Sequence, residues 1–455
     1  MKNTHTLTFS KTTYSHQILN SLNVEIDITE NPYQIPAEDL FIMAARINKK
    51  RSFLFVSKVL GKHIPINPRI GLLTGELLAN RYMEKVKKKE TGKAEELLSA
   101  FKNGSGTFNS SPFIGAEHNP VIIGFAETAT ALGHAFFQSF QKAEFFHTTR
   151  EQLADRVPVI TFEEEHSHAT SHRCYIDGRL LDNQREIILV DDEMTTGNTA
   201  VNIIRSIHAR FPREVYTVVS ILDWRSEEDL NRFNALEKEL GITIHSVSLL
   251  KGEIRVQGSP ETGDIQANFQ TKEETAIVSY IHINKEFPDL LDHIEGPSVT
   301  LGGDIRQVPY LKDSGRFGLN EKGQERLENA LSIIGTYLSS SRTGKRTLCL
   351  GTGEFMYIPM KLASLMGESV KFHSTTRSPI FVRNEENYGA QYGISFPNPE
   401  DRDMAQYVYN IPEGLYDELF LFFEREAFND TLEILISQIK KYIKDIKVVF
   451  FNGGE

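Results

Sequence analysis

The chain has 455 residues, of which 40% are hydrophobic and 24% charged, and it carries a net charge of −11. That composition supports a sizeable globular core spread over about two to three domains, and its acidic balance argues against a main task of non-specific binding to nucleic acid or anionic lipid. Two cysteines imply no disulfide framework and fit a reducing cytoplasm, the opening MKNTHTLTFS lacks the apolar core of a signal peptide, and no apolar run reaches the roughly 18 residues of a membrane span.

In chain order, residues 83–111 are charged and then Gly/Ser-rich, and are expected to form a solvated helix and a flexible loop. PVIIGFAETATALGHAFFQSF, Pro120 to Phe140, reads as strand, loop and helix. EEEHSHATSHR, Glu163 to Arg173, gathers three histidines and three glutamates without the spacing of a dedicated metal site. REIILVDDEMTTGNTAVNIIRSI, Arg185 to Ile207, is the most informative stretch. Ile187 to Val190 reads as a short buried strand. Val201, Ile203, Ile204 and Ile207 recur at helical spacing.

The loop between that strand and helix has a distinct chemistry. A strand-to-helix loop presents free backbone N–H groups and the positive end of a helix dipole, which attract phosphate. Gly197 permits close backbone approach, and Thr195, Thr196 and Thr199 add hydroxyl donors. Asp191 and Asp192 accept hydrogen bonds only, which suits a vicinal diol. Phosphate beside diol describes ribose 5-phosphate. An acidic strand end followed by a capped helix is the plainer alternative.

VDDEMTTGNT resembles the phosphoribosyl-pyrophosphate (PRPP) motif of type I phosphoribosyltransferases. That resemblance implies that Asp191 and Asp192 take the ribose hydroxyls, and that Thr195, Thr196, Gly197, Asn198 and Thr199 take the 5-phosphate. It implies pyrophosphate contacts from Gly124, Phe125, Ala126, Glu127 and Thr128, although this loop holds less glycine than is usual in the family. Arg150 in FFHTTRE is similar to the basic residues that orotate phosphoribosyltransferases carry after the next strand, and a permanent guanidinium suits pyrophosphate. The histidine-rich run occupies the place of a loop that closes over the reacting centre, with His166 and His168 assisting pyrophosphate departure. RSFLFVSKVLGKHIPINPRIG resembles the early strand of orotate-type members, which implies substrate contacts from Ser57, Lys58, Lys62 and His63. Mg²⁺ is the implied cofactor. It would bridge pyrophosphate and ribose oxygens with few protein ligands, so Asp191 and Asp192 would meet it through PRPP.

Downstream, the polar, Gly- and Pro-bearing run from Lys251 to Glu274 marks a boundary, and gives units 1–255 and 256–455. The second unit repeats features of the first. TLCLGTGEF followed by FHSTTRSP echoes PVIIGFAET followed by FFHTTRE, with Glu354 matching Glu127 and Arg377 matching Arg150. ELFLFFEREAFNDTLEILISQI lies on EIILVDDEMTTGNTAVNIIRSI without a gap, so Asp191-Asp192 becomes Phe423-Glu424 and Gly197 becomes Asn429. A period of about 230 residues is too long for a solenoid and suggests a duplicated domain. This copy has lost half the acid pair and the loop glycine, and is not expected to bind PRPP. A different anion is the expected ligand of Gly351, Thr352, Gly353, Glu354, Thr376, Arg377 and Ser378. Asp304, Arg306 and Arg316 lie in a turn-rich stretch that could join such a site or form surface ion pairs.

Thr376-Arg377-Ser378-Pro379 also resembles the signature of the TRSP domain. That domain follows a phosphoribosyltransferase domain in proteins encoded with bacterial tellurite-resistance and stress-response genes. The expectation is therefore two α/β domains with mainly parallel sheets, the first with the type I phosphoribosyltransferase fold and the second a diverged copy. The expected activity is transfer of ribose 5-phosphate from PRPP to a nitrogenous base or related acceptor, in the biosynthesis of a nucleotide-like metabolite. A cytoplasmic homodimer without nucleic-acid or membrane partners is expected. Two alternatives stand beside it: a PRPP-sensing regulator without catalysis, and a bifunctional enzyme with a second activity in the C-terminal half.

Overall fold

The computed structural model describes residues 12–19, 21–47, 52–104, 111–163, 171–260 and 275–453. The first sheet is built on five parallel strands: β1 (Val121–Gly124), β2 (Glu144–His147), β3 (Ile187–Met194), β4 (Val215–Asp223) and β5 (Thr243–Gly258). Their spatial order is β5-β4-β3-β1-β2. Leu22–Glu30 and Thr12–Ile18 extend the sheet antiparallel beyond β5. All of β1 and the first four residues of β3 are buried, as continuous apolar runs are in a parallel sheet covered on both faces.

Three of the helices of this half bear on the site. In α1 (Pro68–Lys85), Asn67 accepts the Arg69 N–H at 3.1 Å and Pro68 opens the first turn, which needs no N–H there. Helix α2 (Ala129–Phe137) follows β1 and is buried on every side. Helix α3 (Asn198–Arg210) follows β3 and buries Ala200, Ile203, Ile204 and Ile207, the face its spacing indicates; Val201 is half-buried.

The second sheet is wholly parallel. It comprises β6 (Ile277–His282), β7 (Thr347–Gly351), β8 (Val370–Ser374), β9 (Glu418–Phe423) and β10 (Asp445–Phe450), in the order β6-β10-β9-β7-β8. Helix α4 (Glu321–Ser340) precedes β7 and α5 (Tyr357–Leu365) follows it. The run β10-β9-β7-β8 has the order and sense of β4-β3-β1-β2. The registers agree too: Val190 pairs with Gly124 in the first sheet, and Phe422 with Gly351 in the second. Both glycines are forced by crowding. A Cβ on Gly124 would meet the Ala129 carbonyl oxygen at 2.6 Å, and one on Gly351 the Phe355 carbonyl oxygen at 2.5 Å. The boundary expected after residue 255 falls inside β5, which stays paired with Leu22–Glu30 as far as Gly258.

The halves interlock reciprocally. Leu319–Asn320, from the second half, adds an antiparallel pair to the edge of β2. Ile66, from the first half, bonds the edge of β8 at Phe372, with both N–H···O distances 2.9 Å. Gly315 O accepts the His147 N–H at 3.1 Å, and Gly61 O accepts the Ser374 N–H at 2.8 Å. Each edge segment then leads into an asparagine-capped helix, Asn67 into α1 and Asn320 into α4. One apolar cluster joins Ile66, Leu72, Ala131 and Ala135 to Ile334, Met360 and Phe372. His134 of α2 stacks on Tyr357 of α5 with centroids 3.4 Å apart, and burial lowers its pKa to about 3, so it is neutral in the core. No helix among the described residues is long and apolar enough to cross a membrane.

Candidate functional site

A cavity opens at the carboxyl end of β3. It is lined by Phe125, Asp191, Glu193, Met194, Val218 and the run from Thr195 to Ala200. Thus Asp191 and all five expected phosphate-binding residues, Thr195, Thr196, Gly197, Asn198 and Thr199, share one concavity. Asp192 follows in the strand and donates its N–H to Asp191 Oδ1 at 2.9 Å. Both aspartates are half-buried.

The loop is held from behind. Trp224 N–H donates to Met194 O at 2.8 Å. Thr196 Oγ1 accepts the Asn198 N–H at 3.3 Å, which shapes the entry into α3. Gly197 has φ +74°, the left-handed region that disfavours any Cβ. A Cβ there would also lie 2.6 Å from the Phe233 ring. Phe233 in turn carries the Arg225 guanidinium at 4.5 Å from its centroid, and Arg225 is paired within the core to Asp223 at 2.9 and 2.7 Å. Arg225 and Phe233 are residues that the motif does not reveal. They lie on the next strand-to-helix unit, and only packing brings them beneath Gly197.

The loop after β1 borders the same cavity through Phe125, whose N–H donates to Val190 O at 3.1 Å. Ala126 N–H donates to Thr148 Oγ1 at 2.9 Å, and Thr148 Oγ1 also meets His172 Nδ1 at 2.8 Å. Lys62 Nζ hydrogen-bonds Thr128 Oγ1. Of the four residues expected at the substrate, Lys62 therefore reaches the loop. Ser57 Oγ caps its own turn by accepting the Val59 N–H at 3.2 Å, and Lys58 Nζ lies on the surface against Glu38 O. His63 is 6% exposed; burial and then the nearby Lys62, His373 and Arg46 keep its pKa well below the usual value. His166 and His168 lie outside the described residues.

Two expected residues turn toward the other half. The Glu127 carboxylate accepts from Thr376 Oγ1 at 3.2 Å and Arg377 N at 3.4 Å. The Arg150 N–H donates to Glu354 Oε1 at 2.7 Å, and Thr149 Oγ1 donates to Glu354 Oε2 at 2.6 Å.

In the second half, Thr352 Oγ1 donates to Phe422 O at 3.0 Å, Gly353 N–H to Thr375 Oγ1 at 2.9 Å and Ser378 N–H to Thr376 Oγ1 at 3.1 Å. The Thr376 hydroxyl and Arg377 N–H, expected to face an anion, thus hold a carboxylate of the first half. Arg377 itself is half-buried. At the position matching the acid pair, Glu424 is buried, accepting the Leu311 N–H at 3.1 Å and Arg316 Nη1 at 2.7 Å. Burial raises the Glu424 carboxyl, and Arg316 opposes that shift. Glu151 bonds Arg425 at 2.8 Å and lies 3.5 Å from Arg316. Burial would raise the Glu151 carboxyl too, but Arg425 and Arg316 outweigh it and hold its pKa at about 2. Arg306 pairs with Glu400 at 3.1 Å. Arg306 and Arg316 are therefore committed inside buried ion pairs rather than spread on the surface. Asp304 stands 3.6 Å from Arg402.

Among the described residues, no group of three or more His, Cys, Asp or Glu side chains is placed to hold a metal ion. The half-buried Asp191 and Asp192 carboxylates offer the hard oxygen donors that Mg²⁺ takes.

Residues 40–253 match a family model described as phosphoribosyl transferase. Residues 313–439 match one described as the TRSP domain, C-terminal to that transferase domain. Among solved structures, the chain is similar to adenine phosphoribosyltransferase from Rhodothermus marinus, with 14% identity, TM-score 0.27, and coverage of 46% of this chain and 94% of that one. It is also similar to the adenine phosphoribosyl transferase from Trypanosoma brucei in complex with AMP, pyrophosphate and ribose-5-phosphate, with 12% identity, TM-score 0.31, and coverage of 56% of this chain and 92% of that one. No curated protein matches the chain.

Proposed function

We propose, for a chain that carries a phosphoribosyl transferase domain at residues 40–253 and a TRSP domain at residues 313–439, that the first half transfers ribose 5-phosphate from PRPP to a nitrogenous acceptor and releases pyrophosphate. The observation that carries this reading is the single cavity in which Asp191 meets the threonine-rich loop from Thr195 to Thr199 at the start of α3. Loop N–H groups, hydroxyls and the helix N-terminus bind the 5-phosphate. Asp191 and Asp192 accept the ribose hydroxyls. In the reaction the C1–O bond to pyrophosphate breaks, the leaving group keeps that electron pair, and an acceptor nitrogen donates its own pair to C1. The acceptor's proton leaves to solvent or to a nearby base. The protein holds the two reactants in line and stabilises the departing charge. Lys62, which reaches this loop at Thr128, is a cation suited to that task. The Asp191 and Asp192 carboxylates, together with bound PRPP, would hold Mg²⁺, which would supply neutralisation of the departing pyrophosphate charge.

The second half reads as a diverged copy paired with the first about a pseudo-twofold axis. What supports this is the shared strand order, the matching registers at Gly124 and Gly351, and the reciprocal edge segments. Its counterpart of the ribose acids is occupied by the Arg316–Glu424 pair, which disfavours a second PRPP site. The test is incubation of the full chain with PRPP, Mg²⁺ and a panel of purine, pyrimidine and acidic heterocyclic bases, followed by mass spectrometry. A ribosylated 5′-phosphate product with equimolar pyrophosphate supports transfer. Tight PRPP binding without turnover on any base supports the sensing alternative.

A further inference from the structure

We infer that Glu354, in the C-terminal half, is a positioning residue for the pyrophosphate loop of the N-terminal half; the functional side of this inference rests on the transferase reading above. Both Glu354 oxygens are spent on one turn of the first half: Oε2 takes the Thr149 hydroxyl at 2.6 Å and Oε1 the Arg150 N–H at 2.7 Å. The neighbouring Thr148 holds the Ala126 N–H at 2.9 Å and closes on Gly124 O through its own N–H at 2.9 Å. Ala126 precedes Glu127, whose carboxylate crosses to Thr376 Oγ1 and the Arg377 N–H. Thr375, beside Thr376, holds the Gly353 N–H at 2.9 Å, and Gly353 precedes Glu354.

These contacts close a ring. Glu354 holds the turn that holds the loop bearing Glu127, and Glu127 holds the turn that holds the loop bearing Glu354. Each strand-end loop is thus braced through the other half. Glu354 is 8% exposed, so the bonds are shielded from water and each lost partner is costly. Burial alone would raise the Glu354 carboxyl, but the Arg316 guanidinium 3.5 Å away reverses that, so the residue braces the turn as a carboxylate. The second half, without a free ribose site of its own, acts as a built-in brace for the loop beside the cavity that keeps one.

The experiment uses the full chain with Glu354→Gln, whose amide can accept only one of the two donors, and with Glu354→Asp. Hydrogen exchange without ligand is read first. Amides 124–128 and 148–151 are expected to exchange faster in Glu354→Gln, while β4 and β5 stay protected. With PRPP and Mg²⁺, the KM for PRPP is expected to rise about ten-fold or more while the KM for the acceptor holds, with partial recovery in Glu354→Asp. Should Glu354→Gln fail to fold, Thr149→Val removes the hydroxyl contact to Glu354, together with the Glu151 N–H bond that the same oxygen accepts at 3.1 Å, and is expected to shift both readouts in the same direction. Unchanged exchange at 124–128 in a folded variant would overturn the inference. A wild-type chain that neither binds nor turns over PRPP would overturn the transferase reading instead, and the ligand-free exchange would still decide the brace.

Discussion

Arg316 Nη1 lies 2.7 Å from Glu424 Oε2, and both side chains are buried. Glu424 stands in the second half where Asp192 stands in the first, so a carboxylate that would face a ribose faces a guanidinium. Removing one member of such a pair leaves an uncompensated charge in the core, at a cost of about 3–5 kcal/mol. Arg316→Met is expected to lower the urea midpoint accordingly. Calorimetry on the intact wild-type chain is expected to give one PRPP per chain. Two equivalents would contradict the assignment of that pair as a plug.

Gly197 and Gly241 provide a controlled comparison. Both have positive φ, +74° and +67°. Among the described residues a Cβ on Gly241 meets nothing within 4 Å, whereas one on Gly197 lies 2.6 Å from the Phe233 ring. Gly241→Ala is expected to cost only the backbone term, about 1 kcal/mol. Gly197→Ala is expected to cost about 1–3 kcal/mol and to remove PRPP-dependent thermal stabilisation, because the loop must move to admit the methyl group. Equal effects of the two substitutions on PRPP binding would refute the role given to Gly197.

Much of the first half is legible in the sequence, and the reason is local. The strand, acid pair, threonine loop and helix of the cavity are contiguous, so Asp191 to Thr199 can be read in one pass. The relation between the halves is less legible. The matched Glu127 and Glu354 are visible as a repeat, but sequence spacing says nothing about which half each side chain enters. Arg150 illustrates this: its residue type suits pyrophosphate, yet its backbone N–H is committed to Glu354. The Arg316 cluster reads from sequence as either an anion site or surface ion pairs, because burial is set by packing rather than by the residues themselves. Arg225 and Phe233 carry no motif at all.

Glu76 on α1 is 3% exposed, and its Oε1 has no hydrogen-bond partner among the described residues. Burial raises its pKa to about 8, opposed by Lys361 and Lys93 and reinforced by Glu96. The native chain therefore keeps this proton, while the unfolded chain loses it above the ordinary carboxyl range. Stability from this group falls as pH rises from about 4.5 to about 8, by up to roughly 1.4 kcal/mol per pH unit, and levels off above that. Glu76→Gln is expected to flatten the pH profile of Tm in this window and to raise Tm at pH 8. An unchanged slope would contradict the assignment of a buried, protonated Glu76.

The interlocked edges predict that the halves do not fold as separate units. Residues 1–258 alone would expose the β2 edge that Leu319–Asn320 covers, and residues 275–455 alone would expose the β8 edge that Ile66 covers. Each fragment is expected to aggregate or to lack a cooperative melt, and co-expression is expected to restore one. A cooperative transition in either isolated fragment, matching that of the full chain, would contradict the interlocking.

The central claim is that Asp191, Asp192 and the loop through Thr199 bind PRPP. The most direct measurement is the thermal shift of the full chain on adding PRPP with Mg²⁺, compared between wild type and the Asp191→Asn/Asp192→Asn double variant. The amides keep size and shape but weaken diol acceptance, so the unliganded Tm is expected to change little. Wild type is expected to be stabilised by the ligand and the double variant not. Stabilisation of the double variant equal to that of wild type would contradict the account.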